Sequence, residues 1–272
     1  MRHVDNPCFT VSALKLLLPI LLLPALTPAC AQRPSAAQRE SVAERPAVSK
    51  NPTYLFRSVS VSEEWDHAAD DTLTTSVEYT EPFHDAATAV GVSVPIAKSV
   101  IGPAGESFGL GDMSVRGQWI PYETLHDGVL LTGTFTMPTG GKSGGSGKWR
   151  CTPSGAYARF WGPRFLLAQF VQQEFSFAGA ADRDRINRTD LDLYGVYSSA
   201  SQRWWINGDV NLRVDEANRN SLSSTTTVSY GRGLRRMMGG SLNGSVQTGF
   251  GMGVGRPYSE VVLVSVSLVG FH

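Results

Sequence analysis

Along most of the chain, apolar and polar residues alternate one by one in long segments, and this pattern constrains the fold more than any other feature. In Gln202–Asp215 one parity carries Trp204, Ile206, Gly208, Val210, Leu212 and Val214, and the other carries Trp205, Asn207, Asp209, Asn211 and Arg213. Gly111–Ile120 repeats the arrangement, with Met113, Val115, Gly117 and Trp119 against Asp112, Ser114, Arg116 and Gln118. So does Val129–Met137. A period of two sends successive side chains to opposite faces of a strand, so these are β-strands with one apolar and one polar face.

Such segments are predicted near 53–62, 72–80, 87–97, 110–120, 127–137, 149–160, 165–177, 187–199, 202–214, 222–230, 240–250 and 260–271. They are about 12 in number, and an even count leaves both termini on one side, as bacterial outer-membrane barrels require. Their length matches the roughly 9–11 residues of a tilted membrane strand rather than the 5–6 typical of soluble sheets. Connections near 63–71, 98–109, 138–148, 178–186 and 215–221 are longer and polar, whereas those near 81–86, 121–126, 161–164 and 200–201 are shorter, as in barrels with long outer loops and short periplasmic turns. Gly231–Gly239 breaks that rule by being long where a short turn belongs. Aromatic residues gather at segment ends: Trp119 and Tyr122, Trp149, Phe160 and Trp161, Trp204 and Trp205, Tyr258 and Phe271. Two interfacial girdles account for them, and a soluble sandwich with an aromatic core is the competing explanation. No segment after the N-terminal region has the roughly 18 consecutive apolar residues of a membrane helix, so any span must be a closed barrel.

The N-terminal region reads as an export address. Arg2, His3 and Lys15 precede the apolar run Leu16–Leu26, and Ala29-Cys30-Ala31 is a small-x-small cleavage pattern. Residues 1–31 are expected to be a signal peptide, with a lipoprotein box at Thr27-Pro28-Ala29-Cys30 as the weaker match. Its removal takes Cys8 and Cys30 and leaves Cys151 alone, which excludes a disulfide framework or a cysteine-rich metal site. Residues 32–52 are polar and read as a flexible arm, followed by the barrel at 53–272. The whole chain balances 24 Lys+Arg against 24 Asp+Glu, so there is no global field for nucleic acid.

The final segment, Val261–Phe271, has Val262, Val264, Val266 and Leu268 on its apolar parity, and Phe271 falls on the other. A near-terminal aromatic of this kind resembles the signal read by barrel assembly machinery as an added strand.

Phe108-Gly109-Leu110-Gly111-Asp112 leads into an alternating strand, and Gly128–Met137 is followed by Pro138-Thr139-Gly140. This pair of motifs, over 108–140, resembles the outer-membrane family associated with the meta-pathway of phenol degradation, with weaker similarity in strand pattern extending to Phe271. The resemblance implies an outer-membrane β-barrel linked to uptake of hydrophobic or aromatic compounds and brings no catalytic residues with it. On physical grounds alone, Gly109 and Gly111 suit a tight turn or bulge at a rim, and Pro138 suits a strand end.

Catalytic motifs fail on context. Gly141-Lys142-Ser143-Gly144-Gly145 fits G-x-S-x-G, but no helix follows, as a nucleophile elbow requires. Gly147-Lys148 is followed by Trp149, not the Ser/Thr of a phosphate loop. Gly249, Gly251, Gly253 and Gly255 alternate without dinucleotide-binding spacing, and His67, His84 and His126 stand singly, without metal-ligand spacing. No catalytic, cofactor or metal site is expected.

What remains is an interior. Arg116, Gln118, Gln172, Glu174, Asp190, Asp192, Asn207, Asp209, Asn211 and Arg213 are the candidate lumen-lining residues. Their mixed charge either lines a narrow aqueous path or locks into ion pairs that close it. The expected fold is all-β, a transmembrane antiparallel up-and-down barrel of about 12 strands. The expected function is an outer-membrane channel or uptake protein rather than an enzyme, with outer-membrane lipid, assembly machinery and a small solute as partners. A non-conducting barrel that displays its loops, or an outer-membrane lipid hydrolase, are the alternatives.

Overall fold

The computed structural model describes residues 50–84, 86–102, 105–124, 126–141 and 144–271. The expected signal peptide, the arm up to residue 49, and Ser143 of the G-x-S-x-G motif lie outside them. Among the described residues, thirteen strands follow in chain order: β1 (Ser58–His67), β2 (Asp71–Phe83), β3 (Thr88–Gly102), β4 (Gly105–Gly109), β5 (Ser114–Glu123), β6 (Asp127–Thr136), β7 (Lys148–Trp161), β8 (Phe165–Gly179), β9 (Asn187–Ser198), β10 (Trp204–Asp215), β11 (Ser221–Met237), β12 (Gly240–Gly253) and β13 (Glu260–Val269).

Every pairing is antiparallel, and β1 bonds to both β2 and β13. The sheet therefore closes and has no edge strand to protect. β4 and β5 share one wall position. β3 pairs with β5 along Thr88–Ser93 and with β4 along Lys98–Gly102, so the two short strands are one staved element interrupted at residues 110–113. Counted that way the barrel has twelve staves.

The interruption has a local cause. Pro95 offers β3 no N–H at this level, and the β2–β3 register slips between Thr75 and Ser76. The Pro95 carbonyl instead accepts the Gly111 N–H at 3.0 Å. A Cβ on Gly111 would lie 2.6 Å from the Cβ of Pro95, so only glycine allows this approach. The motif glycine expected to mark a rim bulge thus marks a break in a strand.

Outward side chains are apolar and exposed, as in Val61, Leu73, Val90, Leu131, Leu193, Val210, Leu212, Val228, Val246, Val262, Val264 and Val266. A closed barrel whose outer face is a continuous apolar surface is built to be surrounded by lipid. Val262, Val264 and Val266 occupy the parity expected of them, while Val261 and Val269 are buried on the other.

Inward positions divide into two storeys. Near the end that carries both termini they are apolar: Ala89 on β3, Ile120 on β5, Leu130 on β6, Ala156 and Ala158 on β7, Leu166 and Ala168 on β8, Val196 on β9 and Trp205 on β10. Further along the same strands they turn polar: Arg116, Thr132, Arg150, Gln172 with Glu174, Asp190 with Asp192, and Asn207 with Asp209. Phe160 packs inward against the Trp205 cluster. Phe160 and Trp205 therefore leave the expected interfacial girdle, because parity turns them into the core.

Four expected boundaries are corrected. The first strand begins at Ser58, not residue 53, and the connection expected at 63–71 is only 68–70, because β1 and β2 pair through His67 and Asp71. Of the connection expected at 98–109, the described residues 98–102 and 105–109 are β-structure, formed by the end of β3 and by β4. Gly231–Gly239 is no long link: β11 continues to Met237, bulging between Gly233 and Arg235, and turns at Met238-Gly239. Both turn residues have positive φ, 53° and 79°, the conformation of a two-residue hairpin turn.

Candidate functional site: the barrel interior

The interior is built from two sets of side chains, the polar upper storey and a segment that crosses the apolar lower one. All ten residues singled out from the sequence lie on one parity of their strands and share one face of the closed wall, although Gln172, Glu174 and Asp190 alternate with half-buried neighbours, Gln173 and Thr189 among them, rather than exposed apolar ones. On the β7–β10 wall they are tied together. Arg150 Nη1 donates to Glu174 Oε1 at 2.6 Å, and Arg188 Nε donates to Glu174 Oε2 at 2.5 Å. Arg213 Nε donates to Asp190 Oδ1 at 2.6 Å, and Gln172 donates to Asp190 Oδ2 at 3.2 Å. Asn211 donates to Asp192. Asp190 is wholly buried, so its charge depends on these partners.

The opposite wall is looser. Arg116 on β5 pairs with Glu78 on β2, a residue that sequence reading missed, and their side chains keep 38% and 36% exposure. Around to the other side, β11, β12 and β13 present Ser223, Thr225, Thr227, Ser229, Ser245 and Ser265, small hydroxyl residues that take up little volume. Tyr258 reaches Thr225 from the connection before β13, and burial raises its phenol pKa above the usual value. Gln118 lies on the Arg116 parity of β5.

Residues 50–56 run inside the lower storey. Asn51 Oδ1 accepts the backbone N–H and the hydroxyl of Thr53, at 3.0 and 2.9 Å, forming a local turn before β1. Asn51, Thr53 and Leu55 are all buried. Leu55 joins Ala89, Ile120, Leu130 and Ala156, while Tyr54 packs on Phe160 with ring centroids 6.4 Å apart. Thr53 sits where a Cβ on Gly128 would approach within 2.7 Å, so Gly128 leaves the space it fills. At the start of the segment, Lys50 Nζ lies 5.4 Å from the Trp205 ring, across the interior from the β3–β7 cluster. Burial lowers the pKa of this ammonium.

The sequence carried a signal for this segment. Leu166, Ala168 and Phe170 alternate with Phe165, Leu167, Gln169 and Val171, so apart from Gln169 both faces of β8 are apolar at one end. A strand apolar on its lipid face and its inward face must pack against something inside.

The motif pair around 108–140 is one structure. Asp112, within the strand break, accepts from the Gly140 N–H at 3.1 Å, the Ser146 N–H at 2.8 Å and the Ser146 hydroxyl at 2.6 Å. Thr139 Oγ1 accepts the Met113 N–H at 2.8 Å and donates to the Gly111 carbonyl at 3.2 Å. Asp112 also lies 3.6 Å from Arg150, which links the β6–β7 connection to the charge ladder. Among the described residues, no group of three or more His, Cys, Asp or Glu has the arrangement of a metal site.

Comparison with solved structures follows this geometry. The chain superposes on an outer membrane channel from Pseudomonas putida F1 with a TM-score of 0.62 at 12% identity, covering 79% of this chain and 96% of that one. The fold is that of an outer-membrane porin. It also matches the NanC porin, with a TM-score of 0.55 at 10% identity over 79% of this chain and 99% of the other. The KdgM porin gives 0.53 at 10% identity, over 78% and 99%. No protein-family model matches the chain, and no curated protein is detectably similar in sequence. The expected all-β, transmembrane barrel stands.

Proposed function

We propose that this protein is an outer-membrane channel for small solutes, with its conducting path along the Arg116–Glu78 wall and its lower storey narrowed by residues 50–56. One observation carries the reading: in the polar storey, the side chains of Arg116 and Glu78 keep 38% and 36% exposure although they face inward. Arg116 Nε and Asp209 Oδ1 are buried without a protein partner. Such atoms cost about 1–3 kcal/mol each unless hydrated, which favours a wet interior over a sealed one. The ten candidate residues, the signal peptide 1–31, the N-terminal arm 32–52 and the barrel 53–272 form part of the same proposal. The resemblance of residues 108–140 to the phenol-pathway family supports small aromatic compounds as solutes.

Single-channel recording in planar bilayers tests it. Discrete openings whose amplitude or selectivity changes in Arg116→Ala and Asp209→Ala are expected, and swelling of protein-containing liposomes in phenol should exceed that in a disaccharide of equal osmolarity. A second reading, a non-conducting barrel that displays its loops, is favoured by the depth at which Thr53 and Leu55 fill the interior. Silence at every voltage, in the full chain and in a form lacking residues 50–56, would establish that reading instead.

A further inference from the structure

The β11–β12 hairpin carries a surface that the channel does not use. Tyr197, Trp204 and Tyr230 stand side by side on the outer face, with ring centroids 6.2 and 6.4 Å apart. Aromatic clusters of this kind sit at the level of lipid headgroups. Trp204 is the first residue of β10 and pairs with Arg232 on β11. Beyond that pair, Gly233 N–H still bonds to the Arg203 carbonyl at 2.9 Å, and then β11 keeps only β12 as a strand neighbour.

The five residues Gly233–Met237 extend roughly 17 Å at about 3.4 Å each. That is enough, even tilted, to cross a headgroup layer of roughly 5–8 Å. Arg232 and Arg235 are exposed here, together with Leu234, Met237 and Met238 at 58%, 42% and 61%. Leu234 lies against Gly244 on the outer face, where no larger side chain competes for the space. Arg203 adds a third cation from the neighbouring turn. Facing elements supply no carboxylate: residues 217–259 contain neither Asp nor Glu, and neither do residues 199–203 or 261–271.

We propose that this hairpin is a binding surface for anionic phospholipid of the inner leaflet, with Arg232 and Arg235 on the headgroup phosphate and Leu234, Met237 and Met238 against the acyl chains. Guanidinium groups match phosphate oxygens bidentately, and exposed apolar side chains beside them suit a lipid better than a free anion. The proposal rests on the outer-membrane reading but not on conduction. A barrel closed to solutes binds lipid here equally well, so the two ideas fail separately.

Native mass spectrometry of the folded full-length barrel in detergent, titrated with phosphatidylglycerol or phosphatidylcholine, tests it. Phosphatidylglycerol adducts are expected at concentrations where phosphatidylcholine gives none. R232A/R235A should weaken them roughly 30-fold, from the contribution of two arginines at an anionic surface. R219A/R256A, at the other end of the barrel, should leave them unchanged. Heat-modifiable mobility on gels reports folding, and R232Q/R235Q replaces the alanine pair if that pair misfolds. Equal binding of the two lipids, equal loss in R219A/R256A, or displacement of the adduct by inorganic phosphate alone would each overturn the proposal.

Discussion

Replacing Asp112 by Ala should release the β6–β7 connection while leaving the barrel closed. The wild-type carboxylate accepts two backbone N–H groups and one hydroxyl, and lies 3.6 Å from Arg150. Hydrogen bonds to a charged group contribute about 1.5–3 kcal/mol each, so three sum to a gross loss of roughly 4–9 kcal/mol. Water at the rim recovers part of this, because Gly140 and Ser146 are only partly buried. A net weakening of loop docking by about 2–4 kcal/mol is expected, with the barrel's heat-modifiable shift retained. Hydrogen exchange followed by mass spectrometry reads the effect directly: amides in peptides covering 138–147 should exchange roughly 30- to 1000-fold faster. Asp112→Asn keeps one acceptor oxygen and should fall between. Unchanged protection at Gly140 and Ser146 in Asp112→Ala would falsify the claim that the carboxylate organises this connection.

Removing Arg213 should be more damaging than removing the pair. Arg213→Met leaves the buried Asp190 without its cation and is expected to cost about 3–5 kcal/mol in equilibrium unfolding, whereas R213M/D190N recovers most of it; similar costs for both would refute the dependence. Gly128→Val should push Thr53 and its neighbours from the lower storey, raising single-channel conductance without preventing folding. Lys50 has a lowered pKa when docked, so its protonated form opposes docking. That penalty is full at pH values below the docked pKa and disappears as pH rises through that value toward the ordinary 10.5. Residues 50–56 should therefore dock more tightly as the solution becomes alkaline, and Lys50→Met should remove the dependence; cysteine accessibility at a Ser49→Cys label measures both.

The class of fold was legible because alternation is a local property. Trp205, Asn207, Asp209, Asn211 and Arg213 fall on one parity of a single segment, and closing the wall only has to set neighbouring segments in register. Glu78 was legible but was passed over. In its segment, Thr72–Thr80, Thr72, Thr74, Ser76, Glu78 and Thr80 share one parity against Leu73, Val77 and Tyr79, so the carboxylate falls on the polar face, although the short hydroxyl residues around it make that face a weak signal. Gly231–Gly239 misled for a different reason: three arginines and three glycines resemble loop chemistry, yet the backbone finds a strand partner in β12. The break at 110–113 also lay beyond reach, since it needs Pro95 and Gly111 to meet across strands that are separated by the β4 hairpin.

The lower storey explains why alternation alone gave an incomplete interior. A lumen that held water along its whole length would need polar inward residues at every level, but Ala89, Leu130, Ala156, Ala158, Leu166 and Ala168 are apolar and mostly small. Left facing water, they would forfeit about 25 cal/mol for each Å² of apolar surface. Covered by Tyr54, Leu55 and the backbone around Thr53, they become a core, and their small size is what leaves room for a chain to cross. The polar storey above has the opposite economy, with Arg116, Glu78 and Asp209 solvated only if water stays. The boundary between Phe170 and Gln172 on β8, two residues apart on one face, is therefore where the barrel changes from an apolar interior to a polar one. If the barrel conducts as proposed, a solute entering the upper storey would meet its barrier there, set by the side chains of residues 50–56 rather than by the wall.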